Sequence, residues 1–167
     1  MSVIVSSAGQ ALADDTPGAE LLSTGTKASS LGIDIGASIG MSSSGTNFDL
    51  HLNYTHHFSG DASGFNLGAD LDIIAGEGEQ AFLVPAVRAG YDHEVALGVY
   101  LAPFASLGPV IGTKGYIGFD ARFGLGVKLI MNDLWIVNVQ PVGVDLVVGT
   151  EGVDVRYSLL FGGGIIF

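Results

Sequence analysis

Apolar side chains alternate with polar or small ones over most of this chain. The pattern is clearest in residues 153–167, where every second residue back from Phe167 is apolar or aromatic except Gly163. A period of two residues predicts a β-strand with one apolar and one polar face. The same alternation starts at Leu31 and predicts eight strands, at about residues 31–42, 47–58, 64–75, 81–92, 97–110, 116–131, 134–148 and 153–167.

The connections between these strands are short and contain turn-forming residues. Gly60-Asp61 and Asn132-Asp133 are typical of tight turns, and His93–Ala96 is predicted as the turn between the fourth and fifth strands. Strands joined by consecutive short hairpins form an antiparallel up-and-down meander. Eight strands are the smallest usual number in a membrane barrel, so we expect the meander to close on itself.

Three features interrupt the regular alternation. The apolar phase of the seventh strand slips at residues 140–142, which predicts a β-bulge there. Pro85 and Pro103 lie inside strands, where proline removes a ladder hydrogen bond; a hairpin centred on Glu94 sets them opposite each other. His56 falls on the apolar face, which is expected only near a membrane interface.

The composition of the polar face indicates which side of the barrel faces outward. That face is rich in Gly, Ser, Asp and Asn, and the chain has 26 glycines. An eight-stranded interior is only just wide enough for side chains to fill it, so small residues fit inside and large apolar ones outside. Strands of about 12 residues, at about 3.3 Å each and tilted by about 40°, reach roughly 30 Å and can span a membrane. The predicted fold class is all-β, an eight-stranded antiparallel up-and-down transmembrane β-barrel with short turns.

The final strand ends on an aromatic residue, and its apolar face carries Tyr157, Phe161, Ile165 and Phe167. This pattern resembles the last strand of small eight-stranded bacterial outer-membrane β-barrels of the OmpA/OmpX-like class. The resemblance implies an outer-membrane location, contact with outer-membrane lipid, and recognition of these four residues as an assembly signal by the barrel-assembly machinery. An even number of strands places both termini on one side, which is the periplasmic side in that class.

Composition and charge exclude several other classes of protein. The chain is 48% hydrophobic and carries a net charge of -11, with only six Lys and Arg residues. Nucleic-acid binding is not expected, because phosphate neutralisation needs clustered basic residues. No stretch of about 18 apolar residues predicts a transmembrane helix. There is no Cys, so no disulfide framework or thiolate chemistry is expected.

Residues 1–30 do not continue the barrel pattern. Val3-Ile4-Val5, followed by small residues and the triplet Ala11-Leu12-Ala13, resembles the end of a secretory signal cleaved after Ala13. The segment has no basic start and a very short apolar core, so a tail retained in the mature protein is the alternative. The predicted domains are therefore a leader or tail over residues 1–30 and an eight-stranded barrel over residues 31–167.

The polar face carries charges of both signs that are predicted to point into the lumen. In a narrow lumen with little water, buried charges must pair. We therefore expect a network of ion pairs and hydrogen bonds that plugs the barrel, and Phe82, Tyr100 and Phe104 on the same face add bulk. An ion-conducting acidic pore is the alternative. The predicted network comprises Asp34, Asp49, Asp70, Asp72, Arg88, Asp120, Arg122, Lys128, Asp145, Asp154 and Arg156.

Enzymatic and metal sites are not expected. His51 and His57 share the lumen face but lie six residues apart, about 20 Å along a strand, which is too far to share a metal ion. Some small outer-membrane barrels are lipid-modifying enzymes with a Ser-His-acid set. His57 and Ser59 are close in sequence, but no acid with matching spacing accompanies them. We therefore expect no enzyme activity and no cofactor.

Connections of about four to six residues leave little material for a binding surface outside the membrane. The predicted function is a structural barrel that acts as an anchor or as a subunit of an envelope assembly. A protein partner is expected to bind through residues 1–30 or the barrel wall. The alternatives are a small pore for ions or small solutes and a soluble lipocalin-like carrier of a lipophilic ligand.

Overall fold

The protein forms a closed barrel of eight antiparallel β-strands. The computed structural model describes residues 21–41, 45–76, 81–150 and 152–167. Each strand pairs with the next in sequence, and the first pairs with the last, which confirms the predicted fold class. The strands are β1 Ser29–Gly40, β2 Thr46–His57, β3 Gly64–Ala75, β4 Ala81–Ala96, β5 Val99–Gly112, β6 Ile117–Met131, β7 Trp135–Gly149 and β8 Gly152–Ile166.

Helical structure contributes little to this fold. A 3₁₀ turn at Thr113–Gly115 connects β5 to β6. Within the described ranges, none of the helices has the length and apolar character needed to cross a membrane.

The hairpin between β4 and β5 corrects one sequence prediction. His93–Ala96 is not a turn, because β4 continues to Ala96 and the chain reverses at Leu97 and Gly98. Gly98 has φ 66°, a conformation that favours glycine. The Glu94 carboxylate accepts a hydrogen bond from the Gly98 N–H at 3.1 Å, so a side chain and a glycine together form this tight reversal.

The same register corrects the predicted proline pairing. Leu83 pairs with Ile111 and Val87 with Leu107. This constant register sets Pro85 across from Pro109, six residues beyond Pro103. The predicted centre of the hairpin, Glu94, lies three residues before the observed centre at Leu97. A shift of the centre by three residues moves the partner of Pro85 by six.

The predicted bulge in β7 is confirmed. Gln140 pairs with Leu160 and Gly143 with Ser158, so β7 advances three residues while β8 advances two. Both Gln140 and Gly143 are buried, so the extra residue keeps the polar face inward on each side of the slip.

The large apolar side chains face outward. Residues of the apolar phase are exposed along every strand, as in β1, where Leu31, Ile33 and Ile35 are each 50% exposed. The alternate residues are buried inside the barrel, and many of them are polar or charged. This is the arrangement of a membrane-spanning barrel and the reverse of a soluble carrier. His56 lies on the outer face at one end, where its Nδ1 is 2.9 Å from the Ser29 hydroxyl.

Candidate functional site: the barrel lumen

Arg122 is the centre of one group of charges inside the barrel. Its side chain is 1% exposed. It donates to Asp72 at 2.7 Å and to Asp145 at 2.5 Å, and it lies 3.8 Å from Asp49. Asp72 lies on β3, Asp145 on β7 and Asp49 on β2. One guanidinium on β6 therefore links four strands. Such a pair stabilises only when both partners are present, because a single buried charge is strongly disfavoured.

A second group surrounds His51. Its Nδ1 lies 3.3 Å from Asp34 and its Nε2 lies 3.4 Å from Asp70. Asp34 also accepts hydrogen bonds from the side-chain amides of Asn53 at 3.0 Å and Asn138 at 3.1 Å. The imidazole therefore bridges two carboxylates on neighbouring strands of the barrel.

Arg88 extends the group around Asp70. Its guanidinium lies 3.6 Å from the Asp70 carboxylate and 3.7 Å from the centre of the Phe104 ring. A cation over an aromatic face gains favourable electrostatic energy without a second carboxylate. Phe104 thus takes part in the charged network as well as filling space.

A third group is centred on Asp92, which was not among the predicted site residues. Its carboxylate accepts from Lys128 at 2.5 Å and from the Asn66 amide at 3.2 Å, and it lies 2.9 Å from His57 Nε2. Asp92, His51 and His57 all lie on the lumen phase of their strands. The alternation therefore places all three in the lumen, although Asp92 falls at the predicted end of the fourth strand.

The eleven residues predicted for the lumen network all point into the barrel. Most are buried, whereas Lys128 and Asp154 are partly exposed. Arg156 donates to Asp154 at 2.9 Å, near the end of the barrel away from Asp92. The network is thus divided into groups along the barrel axis.

Acidic side chains outnumber basic ones in the lumen. Eight aspartates point inward, namely residues 34, 49, 70, 72, 92, 120, 145 and 154, against Arg88, Arg122, Lys128 and Arg156. Within the described residues, neither oxygen of Asp49 has a hydrogen-bond partner, nor does Oδ1 of Asp120. The lumen therefore holds a formal excess of negative charge when its histidines are neutral.

Apolar side chains form two buried clusters, one on each side of the charged groups along the barrel axis. At the end that carries the C-terminus, Tyr100, Ile130 and Ile166 form a buried cluster with Ala62. At the other end, four further residues form a second buried cluster, against which Phe82 and Tyr116 pack: Ile74, Val84, Val110 and Val147. The charged groups thus lie between two apolar layers.

Residues 21–28, here called the closing segment, cross the end of the barrel near the C-terminus. Gly25 is buried there; its N–H donates to the Tyr100 hydroxyl at 3.1 Å, and its carbonyl accepts from the Ala62 N–H at 3.0 Å. A Cβ at Gly25 would overlap Ala62 and come within 2.7 Å of Ile130. Only glycine lets the segment lie this close to the apolar layer.

The β6–β7 turn holds the closing segment in place. The Asp133 carboxylate accepts from the Thr26 N–H at 2.7 Å and from the Thr26 hydroxyl. The Asp133 N–H donates to the Ser23 hydroxyl at 2.6 Å, and Lys27 donates to the Asp133 carbonyl at 2.7 Å. The hydrogen bonds from Thr26 hold the pKa of Asp133 below its ordinary value of 3.8.

The side chains around Ser59 do not form a nucleophile–base pair. The Ser59 hydroxyl donates to Asp61 at 2.9 Å and to the Ser63 carbonyl, whereas His57 points to Asp92 in the lumen. Hydrogen bonds from Ser63 lower the pKa of Asp61. In the part of the chain that the structure describes, no group of three or more His, Asp and Glu residues could hold a metal ion.

The four residues predicted as an assembly signal lie along β8 and just beyond it. Phe161, Ile165 and Phe167 are exposed on the outer face. Tyr157 is partly buried, and its hydroxyl donates to the Pro141 carbonyl in the β7 bulge. Phe167 exchanges two backbone hydrogen bonds with Ser29, at 2.7 and 3.1 Å, so it also extends the β1–β8 seam.

Comparison with known proteins adds solved structures of the same architecture. The sequence matches no protein-family model and no curated protein. Neisserial surface protein A superposes with a TM-score of 0.65 at 10% identity, over 83% of this chain and 96% of that one. The outer membrane enzyme PagL superposes with a TM-score of 0.60 at 16% identity, over 80% and 97%. Ail, the attachment invasion locus protein of Yersinia pestis, gives 0.55 at 14% identity, over 84% and 99%.

These similarities establish the fold. All three are small barrels, and the superposition covers almost the whole length of each. Their low identity carries no activity over to this chain. The protein therefore shares the eight-stranded β-barrel fold of these three proteins.

Proposed function

We propose that the protein is an outer-membrane barrel with a closed lumen, serving as a structural anchor or as a subunit of an envelope assembly. The observation that carries this proposal is the arrangement of the lumen, where paired charges lie between two apolar layers. The closing segment crosses one of those layers. An ion would have to break the charge pairs and cross both apolar layers, which is costly.

Conductance in planar bilayers tests the closed lumen. The expected result for the purified full chain is no steady conductance at protein levels where a known porin gives clear steps. Insertion is checked in the same samples by a heat-modifiable electrophoretic band. A reproducible open channel, from protein that shows the heat shift, would refute the closed lumen.

The alternative function is a small cation-selective pore. The observation in its favour is the excess of lumen-facing aspartates, including Asp49 without a hydrogen-bond partner among the described residues. Such a pore would lose conductance or selectivity in Asp70→Asn and Asp72→Asn variants. If neither substitution alters the conductance, the current comes from defects in the lipid bilayer and not from the lumen.

Membrane insertion is part of the same proposal. Outer-membrane lipid covers the apolar belt, and the barrel-assembly machinery binds the final strand, including Phe161 and Phe167. Detergent requirement tests the first point, because a soluble lipocalin-like carrier would stay in solution without detergent and show no heat shift. The net charge of -11, with only six Lys and Arg residues, gives no basis for nucleic-acid binding.

The partner of such an anchor is proposed to bind through residues 1–30 or the barrel wall. Leu21 is exposed at the barrel end, where its carbonyl accepts from the Asn132 N–H at 3.0 Å. A photo-crosslinking residue in place of Leu21 is expected to capture a defined envelope protein. The matched control is the same residue in place of Ile117, which is exposed at the other end. Identical products from both positions would contradict a specific contact.

We also propose that the protein is not an enzyme. In the described residues, Ser59 and His57 point to different partners. The expected result is no hydrolysis of phospholipid or lipopolysaccharide by the refolded barrel. Release of fatty acid that is lost in a His57→Ala or Ser59→Ala variant would overturn this part.

A further inference from the structure

The outer wall of the barrel has a groove where β7, β8 and β1 meet. Its volume is about 670 Å³, within the range of about 300–1,000 Å³ that is usual for small-ligand sites. No polar or charged side chain lines it. The lining residues are Leu31, Gly32, Ile33, Leu52, Met131, Trp135, Ile136, Val137, Gly163, Gly164 and Ile165.

Strand register explains why the wall is concave here. Leu52, Ile33, Gly163 and Val137 are consecutive partners across four strands, so they form one row on the outer face. Gly163 has no side chain to fill the space between Ile33 and Val137. Along β8, its outward neighbours are Phe161 and Ile165, both exposed. One missing side chain among large ones therefore makes the depression.

We infer that this groove binds one acyl chain of a glycerophospholipid from the leaflet at the terminal end of the barrel. The inference deepens the proposed membrane function and rests on it. The groove is continuous with the outward apolar face, which lipid already covers in a transmembrane barrel. An all-apolar lining excludes a headgroup but accepts hydrocarbon.

The position of Trp135 orients the lipid. Trp135 begins β7, next to the Asn132-Asp133 turn at the barrel end, and tryptophan is typical of the membrane–water interface. The headgroup therefore lies near this turn, and the acyl chain runs along the groove towards Gly163.

A second copy of the protein is a poorer occupant than an acyl chain. When two convex barrels meet at this face, the groove stays empty between them. The side chains that line it then have no partner atoms and lose dispersion energy. A flexible acyl chain can follow the groove floor, which includes the backbone of Gly32 and Gly164.

Trp135 provides the test, because it is the only tryptophan in the sequence. The full chain in detergent micelles is titrated with phosphatidylcholine that carries brominated acyl chains, which quench tryptophan. The expected result is a saturable site that takes up the lipid several times more strongly than the surrounding detergent does. Quenching that follows only the fraction of lipid in the micelle overturns the inference.

Two variants that fill the groove sharpen the result. Gly163→Leu places a side chain on the floor, although a Cβ there comes within 2.9 Å of the Ile136 carbonyl. Val137→Phe fills the groove from its wall and leaves that backbone untouched. Both are expected to abolish the saturable site. The matched control is Val87→Phe, an enlargement on β4 at a residue that is 70% exposed, which is expected to keep it.

The heat-modifiable band, recorded on the same samples, separates the two possible failures. If the barrel shows the heat shift but no saturable site, lipid binding in the groove is refuted and the proposed membrane function is unaffected. If the unaltered chain shows no heat shift, the proposed membrane function itself is refuted. Trp135 that is shielded from the quencher, together with a dimer by cross-linking, would assign the groove to a second copy and overturn the lipid site.

Discussion

At the residue scale, the lumen depends on complete groups of charges. A buried ion pair contributes little beyond an apolar replacement, but removing one partner leaves a charge without compensation. Arg122 is the extreme case, because Asp72, Asp145 and Asp49 all lie within 3.8 Å of it. Its removal is therefore expected to have a larger effect than the loss of any exposed charge.

We expect Arg122→Met to lower the free energy of unfolding by about 3–5 kcal/mol, the usual cost of breaking a buried pair. Urea titration of the barrel in detergent micelles, followed by the electrophoretic shift, measures it. The comparison variant is Arg156→Met, whose partner Asp154 is 23% exposed, and its effect should be smaller. Adding Asp72→Asn and Asp145→Asn to Arg122→Met should recover most of the lost free energy of unfolding. Equal effects of the two single variants would argue against the network.

The closing segment gives a pH-dependent prediction at the same scale. Because Thr26 holds the pKa of Asp133 below 3.8, the ionised carboxylate stabilises the folded segment. That contribution is fully present above pH 3.8 and is lost as the pH falls through the lowered pKa of the folded state.

Carbon-13 NMR of the Asp133 carboxyl group should show a midpoint below 3.8, and Thr26→Val should move it up towards 3.8. Thr24→Val removes a hydroxyl that donates to Glu94 at 3.1 Å and should leave the Asp133 midpoint unchanged. An Asp133 midpoint that responds equally to both changes would contradict the assigned hydrogen bond.

At the scale of the elements, the bulge in β7 reconciles two phases of one strand. Residues 138 and 140 face the lumen before it, and residues 143 and 145 face the lumen after it. Deleting any one of residues 139–142 restores the simple alternation. The deletions differ in which side chains they turn towards lipid.

This difference can be measured with two single-residue deletions. Deletion of Pro141 keeps Gln140 in the lumen, where its amide donates to the Ser158 hydroxyl at 3.3 Å. Deletion of Val139 removes the bulge equally well but turns Gln140 towards lipid. The second deletion is expected to be the less stable by about 1–3 kcal/mol, the cost of an unpaired polar group in apolar surroundings. Urea midpoints in micelles compare them, and equal midpoints would contradict the assigned faces.

At the scale of the whole molecule, closure depends on the pairing of β1 with β8. Their register runs from Ser30 with Ile166 to Gly40 with Arg156, and Phe167 extends it by two hydrogen bonds to Ser29. Closed pairing leaves neither strand as a free edge, which is what a barrel needs in lipid. The final residue thus contributes to the seam as well as to the proposed assembly signal.

Phe167→Ala separates the two roles, because it keeps the backbone bonds and removes the ring. We expect unchanged spontaneous refolding in detergent but slower insertion into vesicles that contain purified barrel-assembly machinery. Phe119→Ala, which removes a ring of similar exposure on β6, serves as the control and should insert normally. Equal rates for both variants would remove Phe167 from the assembly signal.

Much of this fold follows from the sequence alone, because alternation is a local property of a strand. A period of two residues shows which side chains share a face, and the Gly-rich polar face shows which face turns inward. The bulge was also predictable, since the phase slip is visible in β7. The centre of the β4–β5 hairpin was not, because the left-handed backbone of Gly98 and the Glu94 hydrogen bond to it lie outside the alternation.

The tertiary structure decided which residues meet. Arg122 contacts carboxylates from three other strands, and Asp133 holds Thr26 from a segment more than a hundred residues away. The groove at Gly163 exists because β1 and β7 bring Ile33 and Val137 to either side of it. These contacts depend on register and closure, which combine every strand in the barrel. The sequence by itself determined the faces of the strands, and closure of the barrel determined the contacts between them.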